Sequence, residues 1–248
     1  MKRKKVVIIG AGPGGLTAAM LLASHGYEVE VFEKHPTVGG RNQRIDIGDF
    51  KFDMGPTFLM MLFILEEMFE LTGRDVHDYL DLKSVDPLYR LQFGDGRSFL
   101  PTRDASAMKE QISRLFPGNY KGYQDYMRYE KEKFDRLVPC LQVPYSSVRD
   151  FVHPRFLKAA PYLDAHRSLY THLGRFFDDE QLKLAFTFQA KYLGMSPWKC
   201  PGTFSIISYI EHGGGIFHPI GGLNQISHAM AKVVEEEGGT IHLGTNVD

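Results

Sequence analysis

The chain has 248 residues, of which 43% are hydrophobic and 24% are charged, so it can bury a substantial core and lacks the composition of a disordered protein. Its formal net charge of −1 offers no basic surplus to neutralise phosphates, which argues against nucleic acid as a partner. The two cysteines, Cys140 and Cys200, are too few for a disulfide framework or a metal knuckle and fit a reducing, cytoplasmic setting.

The N-terminus does not have the pattern of a secretory signal, because the basic cluster Lys2 to Lys5 precedes only four strongly apolar residues, Val6 to Ile9. The longest apolar run, Phe58 to Leu65, is far shorter than the about 20 residues of a membrane-spanning helix. We therefore expect a cytoplasmic protein that spans no membrane. The basic cluster fits a solvated terminus, with peripheral contact to anionic lipid on the inner face of the cell membrane as the alternative.

The first predicted elements are a strand, a glycine-rich turn and a helix. Val6 to Ile9 is a short apolar run of the kind found in central parallel strands. Glycines at G-x-G-x-x-G spacing follow, and a helix is expected from about Gly14 to His25, with Gly26 placed to end it. This arrangement predicts a dinucleotide-binding turn.

Each glycine of the turn has a physical role. Gly10 permits the tight turn, Gly12 lets a pyrophosphate approach the backbone, and Gly15 lets the helix lie close to the strand. Pro13 and Gly14 lie in the same turn, where free N–H groups and the helix dipole face the phosphates. The predicted cofactor-binding residues here are therefore Gly10, Gly12, Pro13, Gly14 and Gly15.

A second predicted strand, Tyr27 to Phe32, ends at Glu33. A carboxylate at this position accepts hydrogen bonds from a ribose 2′-hydroxyl and repels a 2′-phosphate, so NADP is disfavoured. Glu33 and the adjacent Lys34 are predicted to contact the cofactor. FAD and NAD remain open at this point, as does an ordinary βαβ unit with a surface glutamate.

The next segments favour FAD. In Gly39-Gly40-Arg41 the glycines let the backbone pass close to phosphates, and a guanidinium can hold a phosphate bidentately; alone, the tripeptide would indicate a simple turn. Together with the first motif it resembles the N-terminal signature of flavin-containing amine oxidases, protoporphyrinogen oxidases and carotenoid desaturases. That resemblance implies that Gly40 and Arg41 lie along the FAD pyrophosphate.

A narrower resemblance, to the phytoene desaturase family, extends along most of the chain. It rests on Asp53-x-Gly55-Pro56-Thr57, on Asp86 to Arg90 and on Gly213 to Gly222. It implies that Gly55, Pro56 and Thr57 belong to the cofactor site. A predicted helix, Leu223 to Glu237, and a strand, Thr240 to Leu243, would then return to the FAD domain. By that correspondence Val247 contacts the adenine; a generic helix and edge strand is the alternative.

These elements predict an α/β fold, with a Rossmann-like FAD-binding domain that carries an inserted α+β substrate domain and lacks its C-terminal part. The expected extents are 1–70 for the first part of the FAD domain, 71–205 for the insert and 206–248 for the return. Within the insert, a hairpin is expected around Gly94 to Gly96, with helices at Ala105 to Phe116 and Tyr123 to Leu137.

The function implied by the resemblance is FAD-dependent desaturation of a C30 or C40 isoprenoid such as phytoene, in carotenoid biosynthesis. No catalytic residue is assigned and no metal site is expected, because the sequence contains neither H-E-x-x-H nor G-x-S-x-G. A set of aromatic and methionine side chains suits either a protein core, the more common case, or a tunnel for an apolar substrate; the set is Phe58, Met60, Met61, Phe63, Met68, Phe69, Phe176, Phe177, Phe186 and Phe188.

Two other functions stay open: a flavin oxidase of the amine or protoporphyrinogen type, and a non-catalytic prenyl-binding escort protein. The enzymes that the chain resembles are also longer and carry a further Gly-Asp segment beside the flavin. We therefore expect the chain to be an N-terminal half, whether an artificial truncation, a split subunit with a separate C-terminal chain or an interrupted gene. Uncovered apolar surface would make such a half poorly soluble and its activity alone doubtful.

Overall fold

A computed structural model describes residues 3–248, so Lys2 of the basic cluster lies outside the described residues. The strands are β1 (Lys5–Ile9), β2 (Glu28–Phe32), β3 (Arg44–Ile47), β4 (Phe50–Asp53), β5 (Leu82–Ser84), β6 (Leu91–Gln92), β7 (Ser98–Phe99), β8 (Phe217–Pro219) and β9 (Thr240–His242). The helices are α1 (Pro13–Ser24), α2 (Leu62–Glu70), α3 (Ala105–Leu115), α4 (Tyr120–Leu141), α5 (Pro154–Ala159), α6 (Leu169–Leu173), α7 (Glu180–Ala185), α8 (Ile206–Tyr209) and α9 (Asn224–Glu236). Short 3₁₀ turns and one π-helical turn, Ile210–Gly214, connect them.

The chain divides into two compact units, each with its own core. Unit 1 comprises Met1–Val85 and Ile216–Asp248, and unit 2 comprises Asp86–Gly215. The α/β fold class predicted from the sequence is confirmed. The predicted domain extents, 1–70, 71–205 and 206–248, stay predictions about where the cofactor and substrate domains begin and end.

Unit 1 is built on a parallel sheet in the order β1-β2-β9, and α1 and α9 cover it. The small residues of α1 allow close packing, since Ala19 and Ala23 are both buried in this core. Gly26 adopts a φ of +83° directly after α1, which is the left-handed conformation that ends many helices. The predicted strands and helices of this region are therefore present, with ends shifted by one or two residues.

One expectation for unit 1 differs from the structure. Val6 to Ile9 was expected to be a central strand, whereas β1 pairs only with β2 among the strands of residues 3–248. One face of β1 packs inward through Val6 and Ile8, while Val7 and Ile9 are exposed. A continuous apolar run predicts burial on both faces, but burial also requires neighbours that the run itself does not specify.

Unit 2 contains the expected hairpin and helices. The β6–β7 pair is antiparallel around Gly94 to Gly96, and α3 and α4 lie where helices were predicted. The helix α4 is longer than expected at both ends: it begins three residues earlier, at Tyr120, and it continues past Leu137 because Pro139 is accommodated within its last turn. An aromatic core surrounds Tyr126, whose hydroxyl donates to the Ser205 carbonyl at 2.7 Å.

A buried histidine in unit 2 is expected to make stability depend on pH. His212 is 4% exposed, its Nε2 lies 2.7 Å from the Tyr89 hydroxyl, and burial lowers its pKa to about 3. The unfolded chain binds a proton at His212 below the ordinary pKa of about 6.5, whereas the folded chain does not until about pH 3. We expect the free energy of unfolding to fall by up to about 1.4 kcal/mol per pH unit below pH 6.5.

Urea denaturation at pH 7.0 and pH 5.5 measures this difference. His212→Gln should flatten the pH dependence, and His166→Gln, at an exposed histidine of the same unit, should leave it as in the parent protein. An unchanged pH profile in His212→Gln would show that other groups carry the titration.

Among residues 3–248, no helix combines the length and the apolar character needed to cross a membrane.

Candidate functional site

The glycine-rich turn joins β1 to α1 in unit 1. Gly10 has a φ of +97° and its N–H donates to the Phe32 carbonyl at 2.8 Å, so the turn begins at the carboxyl end of the sheet. Gly12 precedes α1 without a side-chain cap, and Pro13 is its first residue. Because the first N–H groups of a helix have no partner within it, this end of α1 presents donors and the positive end of the dipole.

Gly15 sets how closely α1 approaches β1. A Cβ atom built on Gly15 would lie 2.1 Å from the Gly10 carbonyl oxygen, far inside contact distance. A Cβ atom on Gly14, one position earlier, would meet nothing within 4 Å. The two glycines therefore differ in kind: only Gly15 is required by the packing of the turn on the strand.

The segment Gly39-Gly40-Arg41 lies directly against the first turn. The Gly39 N–H donates to the Ala11 carbonyl at 2.8 Å, and a Cβ atom on Gly40 would come within 3.1 Å of the Gly12 Cα. The predicted Gly12 and Gly40 are thus brought together, backbone to backbone. A side chain on Gly40 would therefore press on the backbone of the turn.

Gly55 lies beside Arg41. A Cβ atom on Gly55 would be 2.2 Å from the Arg41 carbonyl oxygen, so Gly55 packs directly against the Gly39-Gly40-Arg41 segment. The Thr57 carbonyl accepts a hydrogen bond from His218 Nδ1 at 2.9 Å. The side chain of Arg41 is exposed, as are Pro56 and Thr57.

Glu33 is buried at the end of β2, only 5% exposed, and is held by two backbone donors. Its Oε2 accepts from the Ala11 N–H at 2.8 Å and its Oε1 from the His35 N–H at 2.9 Å. Burial alone would raise the pKa of Glu33, but these two hydrogen bonds, together with the nearby charges of His35 and Lys34, hold the pKa below its ordinary value. Lys34, next in the chain, is exposed.

Replacement of Glu33 by glutamine is expected to destabilise unit 1 by about 1–3 kcal/mol, because one backbone donor would then face the amide NH₂ instead of an acceptor. The pKa of Glu33 is lower in the folded chain than in the unfolded chain. Its carboxylate therefore adds to the free energy of unfolding above the ordinary pKa, and this stabilisation is lost as the pH falls through the folded value. Urea unfolding at pH 7 measures the loss. Glu28→Gln, at an exposed position of the same strand, should change stability little; equal losses in both variants would contradict the role of Glu33.

The predicted Val247 lies near the end of a segment that pairs with the residues around Glu33. The Thr245 N–H donates to the Glu33 carbonyl at 2.8 Å, and the Gly244 N–H donates to the His35 carbonyl at 3.0 Å. Val247 itself is 44% exposed. This segment extends β9 alongside the end of β2.

An open apolar cavity of about 420 Å³ lies beside the turn in unit 1. Its walls combine predicted site residues with the methionine-rich segment before and within α2 and with α9; they are Pro13, Arg41, Asn42, Pro56, Phe58, Leu59, Met60, Met61, Ile64, Leu65, Met68, Leu223, Ile226 and Met230. Four of the ten aromatic and methionine positions singled out in the sequence therefore line a cavity. By contrast, Phe69, Phe177 and Phe186 are core residues.

Two polar residues at this site were not predicted. Asp53 Oδ1 accepts from the Leu223 N–H at 3.0 Å, which holds the start of α9 against β4. Asn42 is buried and its Nδ2 donates to the Leu223 carbonyl at 2.7 Å. Asp53 stands at the head of the Asp53-x-Gly55-Pro56-Thr57 motif, which could have indicated it, whereas no sequence signal distinguishes Asn42 from a loop residue.

Comparisons with known proteins identify a flavin-containing family. The family model described as flavin containing amine oxidoreductase matches residues 13–248. A 4,4'-diapophytoene desaturase (4,4'-diapolycopene-forming) of Methylomonas sp is 45% identical over 245 residues, which are 99% of this chain and 48% of that protein. A zeta-carotene-forming phytoene desaturase of Myxococcus xanthus is 38% identical over 99% of this chain and 48% of its own length.

A solved oxidoreductase structure from Methanosarcina mazei shares the fold, with a TM-score of 0.59 and 23% identity over 97% of this chain and 51% of that chain. The chain spans about half the length of the curated relatives it matches. The expected cofactor, FAD, agrees with the flavin in the description of the matching family.

Proposed function

The chain belongs to the flavin-containing amine oxidoreductase family, and from that premise we propose that unit 1 holds the adenosine and pyrophosphate part of FAD. The pyrophosphate would lie at the start of α1, where Gly12, Gly14 and Gly15 present backbone N–H groups. The close approach of Gly40 to Gly12 brings the two glycine segments together, which supports a phosphate-binding site formed by both backbones. Arg41, next in the chain, is exposed and would hold a phosphate oxygen.

Glu33 would bind the adenosine ribose in the proposed site. Each of its carboxylate oxygens already accepts one backbone hydrogen bond, and a carboxylate offers about four acceptor positions, so two remain for hydroxyl donors. Its buried negative charge also disfavours a 2′-phosphate at the same position. Lys34 would lie on the exposed side of the adenosine, and Val247 would contact the adenine through its backbone.

The activity we propose is FAD-dependent desaturation of a C30 or C40 isoprenoid such as phytoene. We propose it for an enzyme of the relatives' full length, of which this chain spans about half. The single observation that supports it most is the 45% identity with a 4,4'-diapophytoene desaturase along 99% of the chain. Bound FAD would supply hydride acceptance. The chain's own residues would bind and orient the cofactor, and the apolar cavity walls would exclude water from an apolar substrate.

Three partners belong to the same proposal: the isoprenoid substrate, a lipid surface from which it is drawn, and a polypeptide corresponding to the rest of the curated relatives. A quinone, oxygen or another acceptor would reoxidise the flavin. An amine or protoporphyrinogen oxidase is the second enzymatic candidate; it predicts a polar or aromatic-caged substrate site, whereas apolar side chains dominate the walls of the cavity in unit 1.

The test is co-expression of the chain, with and without the C-terminal half of the Methylomonas relative, in cells that accumulate phytoene or diapophytoene. We expect coloured, conjugated products when both halves are present. Oxidation of an amine or of protoporphyrinogen without coloured products would favour the second enzymatic candidate. Binding of a prenyl chain by a protein that shows no flavin absorbance after reconstitution would favour the escort alternative.

A further inference from the structure

A short segment of unit 2 displays an unusual concentration of exposed apolar side chains. Between the end of α4 and the end of α5, six of them are exposed: Leu141 (78%), Tyr145 (38%), Val148 (83%), Phe151 (48%), Val152 (63%) and Leu157 (55%). We call residues 141–158 the apolar loop. Single exposed apolar residues are common on soluble proteins, but six within one segment form a patch of the kind that contacts another surface.

The apolar loop is held in shape and does not simply trail from α4. At one end Ala159 is fully buried against Leu137 and Cys140 of α4. Within the loop, Asp150 Oδ2 accepts from the Ser146 and Ser147 N–H groups at 2.8 and 2.7 Å, which closes a capped 3₁₀ turn. The exposed side chains are therefore presented by a fixed backbone.

The aromatic rings of the loop also support one another. The ring centroids of Tyr145 and Phe151 are 5.1 Å apart, and those of Phe151 and Phe156 are 5.3 Å apart. Such spacings are typical of favourable aromatic pairs. The patch is thus a small cluster whose outer side is exposed in the part of the chain that the structure describes.

Charge distinguishes this patch from other exposed apolar surface. The loop carries three basic residues, Arg149, Arg155 and Lys158, and none of them forms an ion pair with a carboxylate among residues 3–248. Its one carboxylate, Asp150, is already bound by backbone N–H groups. The loop is therefore basic although the whole chain has a net charge of −1.

We propose that the apolar loop inserts its exposed side chains into the interface of an anionic lipid bilayer, with Arg149, Arg155 and Lys158 at the level of the headgroups. Apolar burial and attraction to anionic lipid are the two contributions that bind interfacial segments. The proposal depends on the proposed function in one respect: an isoprenoid substrate would be dissolved in that bilayer.

The hairpin of β3 and β4 provides a matched comparison. Ile45 opposes Phe52 and Ile47 opposes Phe50, so one face of this hairpin is apolar and exposed as well. Its other residues carry nearly balanced charge, with two basic and three acidic side chains over residues 44–53. If apolar exposure alone caused lipid binding, the hairpin would contribute as much as the apolar loop.

The experiment is sedimentation of the full chain with sucrose-loaded vesicles of phosphatidylcholine alone or mixed with phosphatidylglycerol. We expect binding at least tenfold stronger to the anionic vesicles, weakened by salt. Val148→Ser/Val152→Ser should weaken it about tenfold or more, and Arg149→Gln/Lys158→Gln about fivefold for each charge removed. The controls Ile47→Ser/Phe50→Ser and Lys121→Gln/Lys131→Gln should bind as the parent protein does.

Equal binding to neutral and anionic vesicles, or equal weakening by the hairpin control, would overturn the proposal. Absence of vesicle binding would also overturn it. If analytical ultracentrifugation showed a dimer, and Val148→Ser/Val152→Ser dissociated that dimer, the apolar loop would instead bind a second copy of the chain. The assay contains neither substrate nor FAD, so its failure would leave the proposed cofactor site untouched. The substituted side chains are exposed, and circular dichroism of each variant verifies that the fold is retained.

Discussion

Gly15→Ala is expected to abolish FAD binding and to destabilise unit 1 by about 3 kcal/mol or more, at the upper end of the range for overpacking. The added methyl group would be placed 2.1 Å from the Gly10 carbonyl oxygen, which is backbone and cannot rotate away. The clash can be relieved only if α1 moves away from β1. That movement would displace the N–H groups proposed to hold the pyrophosphate. Urea unfolding and FAD titration of the purified variant measure the two effects.

Gly14→Ala is the matched control for Gly15→Ala. It adds the same methyl group one residue earlier, where nothing lies within 4 Å, and alanine is favoured over glycine in a helix by about 1 kcal/mol. Its stability should therefore equal or exceed that of the parent protein. If both variants were equally destabilised, the close contact between α1 and β1 would not be the cause.

Lys133→Met is expected to destabilise unit 2 by about 3–5 kcal/mol, because it leaves buried carboxylates without their main counter-charge. The Lys133 side chain is fully buried, and its Nζ lies 3.0 Å from Glu130 and 3.1 Å from Asp164. It also donates to the Ser205 hydroxyl at 2.9 Å. His172 contacts the same two carboxylates. Arg175 and Arg167 lie 3.5 and 3.9 Å from Asp164, so the loss of Lys133 affects the fully buried Glu130 most.

Asp164 shows how strongly this cluster favours ionised carboxylates. Burial alone would raise the pKa of Asp164, but the hydrogen bond from His172 and the charge of Lys133 hold it well below its usual range. Lys131→Met is the control for Lys133→Met, since Lys131 lies on the same helix, is 62% exposed and pairs with the exposed Asp135. Thermal unfolding should detect little change in Lys131→Met. A similar result for Lys133→Met would mean that the buried charges are not coupled.

The sequence indicated the glycine-rich turn and α1 but not the polar interior of unit 2. The spacing of Gly10, Gly12 and Gly15 specifies a local turn, and local patterns contain most of what is needed to place α1. The pair Glu130 and Lys133, three residues apart on a helix, has the pattern of a surface ion pair. Only packing against Asp164 and His172 makes it a buried cluster, and no local pattern specifies that packing.

The β3–β4 hairpin was missed although its residues alternate between apolar and polar. Arg44 to Ile47 and Phe50 to Asp53 are strands of only four residues each, which is near the lower limit at which alternation is informative. The cavity beside the turn was anticipated only as one use of the aromatic and methionine positions. Whether such a residue lines a cavity or a core depends on the facing helix, here α9.

The proposal that unit 1 recognises the adenosine and pyrophosphate of FAD is tested most directly by calorimetric titration of the chain with FAD and, separately, with FMN, which lacks the adenosine. Binding of FAD with about one site per chain, at least tenfold weakened in Glu33→Gln and undetectable for FMN, is the expected result. Equal affinity for FMN and FAD, or FAD binding that Glu33→Gln and Gly15→Ala leave unchanged, would contradict it.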